Sequence, residues 1–538
     1  MQRLKLWINN KDNQYCLIFL LLFIFLCLLY QYHKILFLRP QGIHVWRQTI
    51  SLSYALNYYQ QGMNFFKPEV HQLVADKGTT GYVAAEFPLL YFFNAILWKI
   101  FGVHEFIPRL LNLFLAFLGF FSVFKIIYKK TDAFWGILLP LLFFTSPVVA
   151  FYCVSALPDS PAFSIALISI FCFYKFFENQ KYKWLYLFMF LSLICGLLKA
   201  TSAMIFAAIL MVFIFEKTRM ISFRTEKKIF NGGIKDYLLF AGTLAGIAAW
   251  YFWAMHYNES HGSHISDSRI LPIWNMNAED MFNVIKSVHE IVWYQFFSPH
   301  TTFLFLLLFI PVIFLKRVAD KYLWNLTMFL FMGTATYVLL WFAVWNAHDY
   351  YMFPLFFFFI ILTITFFDYL KNAYPMICNS KILKMVFFLF FIYNVWYCSN
   401  NIRMRYGIGV GNIVLTSTNT EVGLWDWFNW DRQTKWKAYE TIESHNRSLG
   451  IRPNDLVVSI PDPSVCVSLY LMNQKGWNEF NGNFFGQDGI EAKIKLGAKY
   501  LFLNDTNLCH NPFIEPYTKY KIGQYQNIAI YDLKENKK

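Results

Sequence analysis

The chain has 538 residues, of which 57% are hydrophobic, 21% aromatic and only 15% charged, and its mean hydropathy is +0.37. That balance excludes an ordinary water-soluble protein, which could not cover so much apolar surface with polar side chains. The net charge of +14 would suggest nucleic acid in a soluble chain. Here the basic residues cluster between apolar runs, where they set membrane topology, and no finger, stacking motif or basic groove accompanies them.

In chain order, the basic start MQRLKLWINNKDNQY leads into an apolar run near 15–32 without the small-residue cleavage site of a signal peptide, so it reads as an uncleaved first span. Further spans are predicted near 107–128, 133–154, 161–177, 184–198, 202–215, 237–255, 303–315, 322–345, 350–367 and 382–398, about eleven in all. The fold class is therefore mainly α and polytopic. Lys129, Lys130, Lys181, Lys183, the run KTRMISFRTEKK from Lys217, Lys316, Arg317, Lys321, Lys371, Lys381 and Lys384 fall on one side, which is expected to be cytoplasmic together with the N-terminus. An odd number of spans places the tail outside.

The chain divides into a membrane domain, 1–398, and a tail, 399–538, of ordinary polarity. The stretch Asp455-Leu-Val-Val-Ser-Ile and the helix-then-strand pattern IEAKIKLGAKYLFL predict a small extracytoplasmic α/β domain. Nine cysteines are scattered without metal-ligand spacing; only Cys466 and Cys509 lie in the tail, where an oxidising compartment would allow them to pair.

The first outer loop, 33–106, is far longer than a hairpin connection. Within it, Thr49 to Gln60 and Tyr91 to Phe101 are expected to form helices lying in the membrane interface. His44, Trp46 and Arg47 together with Glu86 and Pro88 bring ionisable groups beside apolar segments, where such groups must pair or be used. A carboxylate there can act as general base toward an acceptor hydroxyl or amine, and an arginine can bind a phosphate leaving group; an interfacial ion pair beside a helix cap is the plain structural alternative.

Asp159 in ALPDSPAF follows a span and is placed to cap the next. Lys199 in GLLKATS sits in a loop too short to solvate it, so it either snorkels or holds an anion. His348 and Asp349, followed by Tyr350 and Tyr351, lie at a similar outer edge, where tyrosines commonly anchor the bilayer interface. The chain has no GxxxxGK[ST], GxGxxG or GxSxG motif, so neither nucleotide chemistry nor a serine nucleophile is indicated.

Taken in order, HVWRQ, EFPLLYFFNAI, FGVHEFIPRLLN, LPDSPAF, LLKATS and AHDYYMFPLFFF resemble the glycosyltransferase family 39 and aminoarabinose-transferase-like membrane proteins of the GT-C class, over roughly 15–400. The resemblance implies a GT-C bundle with a long first outer loop. It also implies transfer of a sugar from a polyprenyl-phosphate donor to an envelope acceptor (lipid A, polysaccharide, glycolipid or protein) on the outer face of a bacterial inner membrane.

Residue by residue, Arg47 matches the family's arginine, Glu86 with Pro88 its second motif, and Asp159 the acidic residue opening the fourth span. Lys199 matches a lysine that helps hold the lipid phosphate, and His348 with Tyr350 matches an edge motif. The sequence departs from the family at His44, which occupies the acidic position of the first loop, so Glu86 becomes the expected base. Glu86, His44 and Arg47 are thus the expected catalytic residues, and Arg47, Asp159, Lys199, His348 and Tyr350 the expected donor-binding ones. No nucleotide is needed; whether a divalent metal assists, with oxygen ligands from Asp159 and Glu86, is left open. A transporter or flippase for lipid-linked saccharides is the alternative, since buried charges and aromatic surfaces would serve either purpose.

Overall fold

In a computed structural model, the described residues are 10–224, 228–265, 270–346, 348–408, 418–481, 484–486 and 489–534. The first nine residues of the basic N-terminus, part of the run from Lys217 and Ala347 of the AHDYY motif lie outside them. Among the described residues, nine helices are long and apolar enough to cross a bilayer: Lys11–Leu29, Phe106–Lys130, Asp159–Asn179, Ala200–Lys217, Ile234–Ser260, Pro299–Arg317, Lys321–Leu340, Asp349–Ala373 and Lys381–Tyr406. The two remaining predicted spans are helices too, Ala133–Phe144 and Tyr182–Leu198, of 12 and 17 residues. Both are shorter than the roughly 20 residues a bilayer core requires.

The chain forms two compact units. One comprises Met1–Phe37, Arg109–Ala249 and Arg269–Leu424; the other comprises Leu38–Pro108, Trp250–Ser268 and Trp425–Lys538.

The first unit contains most of the helical bundle. Its helices start on side-chain caps where the sequence supplies them: Asp132 accepts from the amides of Phe134 and Trp135, Asp320 from Leu323 and Ser380 from Leu383. At one end of this bundle, basic and acidic residues interlock. Lys130 pairs with Asp368 at 2.9 Å, Lys384 with Asp132 at 2.7 Å, and Lys217 with Asp236 at 3.1 Å. All three cations belong to the lysine-rich set of loops. Asp349 opens the helix that Asp368 nearly closes, so the two aspartates mark opposite ends of the bundle.

The second unit joins the long first loop to the tail. The tail sheet consists of β1 (Leu456–Ile460), β2 (Gly476–Trp477), β3 (Ala498–Leu503), β4 (Lys521–Tyr525) and β5 (Ile528–Asp532), ordered β2-β1-β3-β5-β4. β1 pairs in parallel with β2 and β3, whereas β5 runs antiparallel to both β3 and β4. Residues 71–73 of this long loop run alongside β2, with Leu73 N donating to Gly476 O at 2.9 Å and Gly476 N to His71 O at 3.1 Å. Leu73 is buried in the same core as Trp477, Ile494 and Leu501, and Trp477 Nε1 donates to Gly78 O at 2.9 Å. Cys466 and Cys509 are both free thiols; Cys466 is buried beside Thr49.

One expectation about this unit is corrected. The helix Val45–Gln60 does not lie along a surface: every residue from Gln48 to Tyr58 is buried. Burial of so polar a helix is possible because its side chains bond back to its own carbonyls, Thr49 to Val45, Ser51 to Arg47 and Asn57 to Ser53. The helix Leu89–Phe101 does keep an apolar exposed face, with Phe93, Ile96 and Ile100 about one turn apart.

Candidate active site

The structure gathers the expected residues into two groups, one in each unit. In the loop-and-tail unit, Arg47, in the first turn of Val45–Gln60, forms an ion pair with Glu86. Glu86 also accepts from Tyr91 Oη at 3.4 Å, and Tyr91 stacks on Tyr54 with ring centroids 5.1 Å apart. The segment carrying Glu86 is clamped along its backbone. Asn258 accepts from Ala84 N and donates to Ala84 O, both at 2.8 Å, while Trp250 Nε1 donates to Ala85 O at 3.1 Å. His44 precedes the helix in a left-handed conformation (φ 59°), uncommon away from glycine, one turn before Arg47.

In the bundle unit, Asp159 at the start of one spanning helix pairs at 3.0 Å with Lys199 at the end of Tyr182–Leu198. The Asp159 carboxylate is 3% exposed, and its Oδ2 has no hydrogen-bond partner among the described residues. Asp159 is therefore more than the helix cap its position suggested. It neutralises a lysine drawn back from solvent. The Lys199 ammonium lies 5.3 Å from the ring centroid of Tyr350 and 4.9 Å from that of Tyr351, a cation–π arrangement. His348 meets Tyr350 edge-on at 5.6 Å. Asp159, Lys199, His348 and Tyr350 are thus brought together.

Sequence reasoning missed what holds this group from behind. Asp349 accepts from Tyr152 Oη and from Arg405 Nη1, the latter at 3.1 Å. Arg405 Nε in turn donates to Asn401 Oδ1 at 2.8 Å, and Asn401 Nδ2 to Glu421 Oε1 at 2.8 Å. The signal for Arg405 was a charged residue in the last turn of an apolar helix, which the predicted span ending at 398 left outside the membrane.

Among the described residues no three His, Cys, Asp or Glu side chains cluster as a metal site. Glu86 and Asp159 lie in different units, and each faces a basic partner. Chemically, each group offers a carboxylate beside a cation and phenol rings, suited to moving a proton near an anionic substrate.

The family described as dolichyl-phosphate-mannose-protein mannosyltransferase matches residues 85–251, a segment that contains Glu86, Asp159 and Lys199. Among solved structures, ArnT from Cupriavidus metallidurans superimposes with TM-scores of 0.52 in its apo state and 0.57 bound to undecaprenyl phosphate. Both are 11% identical and cover 96% of this chain and 97% and 98% of theirs. This chain has the GT-C glycosyltransferase fold. The apo oligosaccharyltransferase of Archaeoglobus fulgidus also shares the GT-C fold, at TM-score 0.50 and 10% identity over 94% of this chain and 72% of its own. So does the arabinofuranosyltransferase AftD from Mycobacteria, at 0.51 and 12% over 96% and 40%. A sequence comparison with curated proteins finds no match. The resemblance read from the sequence is upheld, and the chain is a multi-pass membrane protein with the GT-C fold and a small C-terminal sheet domain.

Proposed function

We propose that the protein is a glycosyltransferase that takes a sugar from a polyprenyl-phosphate donor and passes it to an envelope acceptor on the outer face of a bacterial inner membrane. The observation that carries this reading is Lys199, held between Asp159 and the Tyr350 and Tyr351 rings. It sits in the bundle unit at the end away from the lysine-rich loops, where a lipid phosphate arrives at headgroup level. The family match over 85–251 and the undecaprenyl phosphate bound by the ArnT of like fold support it.

In the proposed reaction Glu86 takes the proton of the acceptor hydroxyl or amine as that atom bonds to the sugar's anomeric carbon. The bond from that carbon to the phosphate oxygen breaks, and its electron pair leaves with the polyprenyl phosphate. Arg47 orients Glu86 and offers charge to the departing phosphate, Lys199 and Tyr350 hold the donor headgroup, and Asp159 and His348 set Lys199 and Tyr350 in place. The membrane places the N-terminus in the cytoplasm and the tail outside.

The test is sugar transfer from labelled polyprenyl-phosphate sugars to envelope extracts by purified wild-type and Glu86→Gln protein. Transfer is expected from wild type, with a loss of at least about a hundredfold in the variant. Equal transfer by both would remove Glu86 as base. No transfer across the donor panel, with saccharide moving across vesicles instead, would make the protein a flippase.

A further inference from the structure

Asp349 and Arg405 are among the most deeply buried charged groups of the bundle unit, with side chains 2% and 0% exposed. A buried ion pair contributes little net stability compared with apolar side chains of the same volume, so stability alone is a poor reason for one here. Its position suggests another. Asp349 immediately precedes Tyr350 and Tyr351 in a tight 3-10 turn, Asp349–Met352, and those two rings flank the Lys199 ammonium. The turn is tied on both sides: Asp349 is held by Tyr152 and Arg405, and the Tyr351 carbonyl accepts from Tyr337 Oη at 2.9 Å.

Arg405 makes contacts that a lysine would not reproduce together. Its Nη1 bonds Asp349, its Nε bonds Asn401, and its guanidinium lies 5.0 Å from the Phe151 ring centroid. A planar group fixed at three sides transmits a fixed orientation to the carboxylate it holds. The lysine stem has four rotatable bonds, and the two tyrosine rings restrict where its ammonium can sit.

We infer that Arg405 and Asp349 are positioning residues, which lock the Asp349–Met352 turn so that Tyr350 and Tyr351 hold Lys199 where an anionic lipid headgroup can reach it. This rests on the donor-binding reading proposed above and goes beyond it by assigning a role to residues that do not touch the donor.

The experiment measures binding of undecaprenyl phosphate to the full-length protein in nanodiscs by native mass spectrometry, for wild type, Arg405→Lys, Lys199→Met and the double variant. Arg405→Lys keeps the charge and is expected to weaken binding about tenfold, as loss of an oriented contact does. Lys199→Met is expected to weaken it more, and the double variant no more than Lys199→Met alone, because Arg405 acts through Lys199. Unchanged binding in Arg405→Lys, or losses that add in the double variant, would overturn the inference. No binding by wild type would instead overturn the donor reading. Tyr152→Phe, which removes one hydrogen bond to Asp349 and leaves the ion pair, serves if Arg405→Lys does not fold. It should weaken binding about threefold, again only when Lys199 is present; an unchanged affinity would count against the inference equally.

Discussion

His71 shows how burial at a single residue sets a pH limit on the loop-and-tail unit. Its Nδ1 lies 2.7 Å from Ser53 Oγ, its ring is buried, and the Lys475 ammonium is near. Burial first, and the lysine second, push the imidazole down from its ordinary 6.5 to about 3. The unfolded chain takes up a proton below pH 6.5 that the folded protein refuses. Stability is therefore complete above pH 6.5 and falls as the pH drops toward 3. Between pH 6.5 and 5 the loss is about 2 kcal/mol. Thermal unfolding measured at pH 7 and pH 5 should show a lower midpoint at pH 5, and His71→Asn should flatten that slope whatever it does to the absolute midpoint. An equal slope in the variant would mean that another group sets the limit.

Among the secondary-structure elements, the pairing of the long first loop with the tail sheet has the clearest consequence. Gly476 in β2 lies so close to β1 that an added Cβ would stand 1.8 Å from the Val457 carbonyl oxygen. Backbone on that side cannot yield without breaking the β1–β2 pairing and, with it, the hydrogen bonds from residues 71–73. Gly476→Ala should cost about 1–3 kcal/mol, the usual range for overpacking. It should also make the loop segment near Gln61–Lys67 and the tail sensitive to limited proteolysis together. Gly423→Ala, in the helix Asn419–Asp431 where nothing lies within 4 Å, is the control that should cost no stability, since alanine favours a helix over glycine. Cleavage of the tail alone would show that the loop does not depend on the sheet.

The same elements show which parts of the fold could be read from sequence. Local patterns carried the spanning helices, β1 and the Gly489–Lys495 helix followed by β3, because each signal lies within one short window. The union of residues 71–73 with β2 could not be read, since it joins segments some 400 positions apart whose pairing leaves no local mark. The helix Val45–Gln60 misled because a mixed polar pattern normally means an exposed face, and here Thr49, Ser51 and Asn57 are buried with their side chains bonded to the helix's own carbonyls. At the candidate site, Arg47 and Glu86 were legible as charges that had to be paired or used near lipid, and Lys199 as one that must snorkel or hold an anion, whereas Asp159 read as a helix cap and its pairing with Lys199 came only from the fold. Arg405 was not: CSNNIRMRY reads as a chain leaving the bilayer, and only the fold shows it turned inward to Asp349.

For the molecule as a whole, the distribution of charge along the bundle decides which way it faces. The pairs Lys130–Asp368, Lys384–Asp132 and Lys217–Asp236 tie together one end of the bundle unit. Asp159–Lys199 and Asp349–Arg405 occupy the other, about 30 Å away along the helix Asp349–Ala373 at 1.5 Å per residue. Lysines and arginines in short loops are retained on the cytoplasmic side, so the lysine-rich end should face inward and the Lys199 group outward. In that orientation the helix Lys381–Tyr406, which begins at the lysine-rich end and finishes at Arg405, should deliver the chain to the outside, and the tail is expected there. Lys316 and Lys519 are both exposed and stand on opposite sides in this arrangement. With the parent chain as background for its native thiols, Lys519→Cys should react with a membrane-impermeant maleimide on intact cells, and Lys316→Cys only after lysis. The reverse pattern would put the Lys199 group on the cytoplasmic face, where a donor presented on the outer leaflet could not reach it.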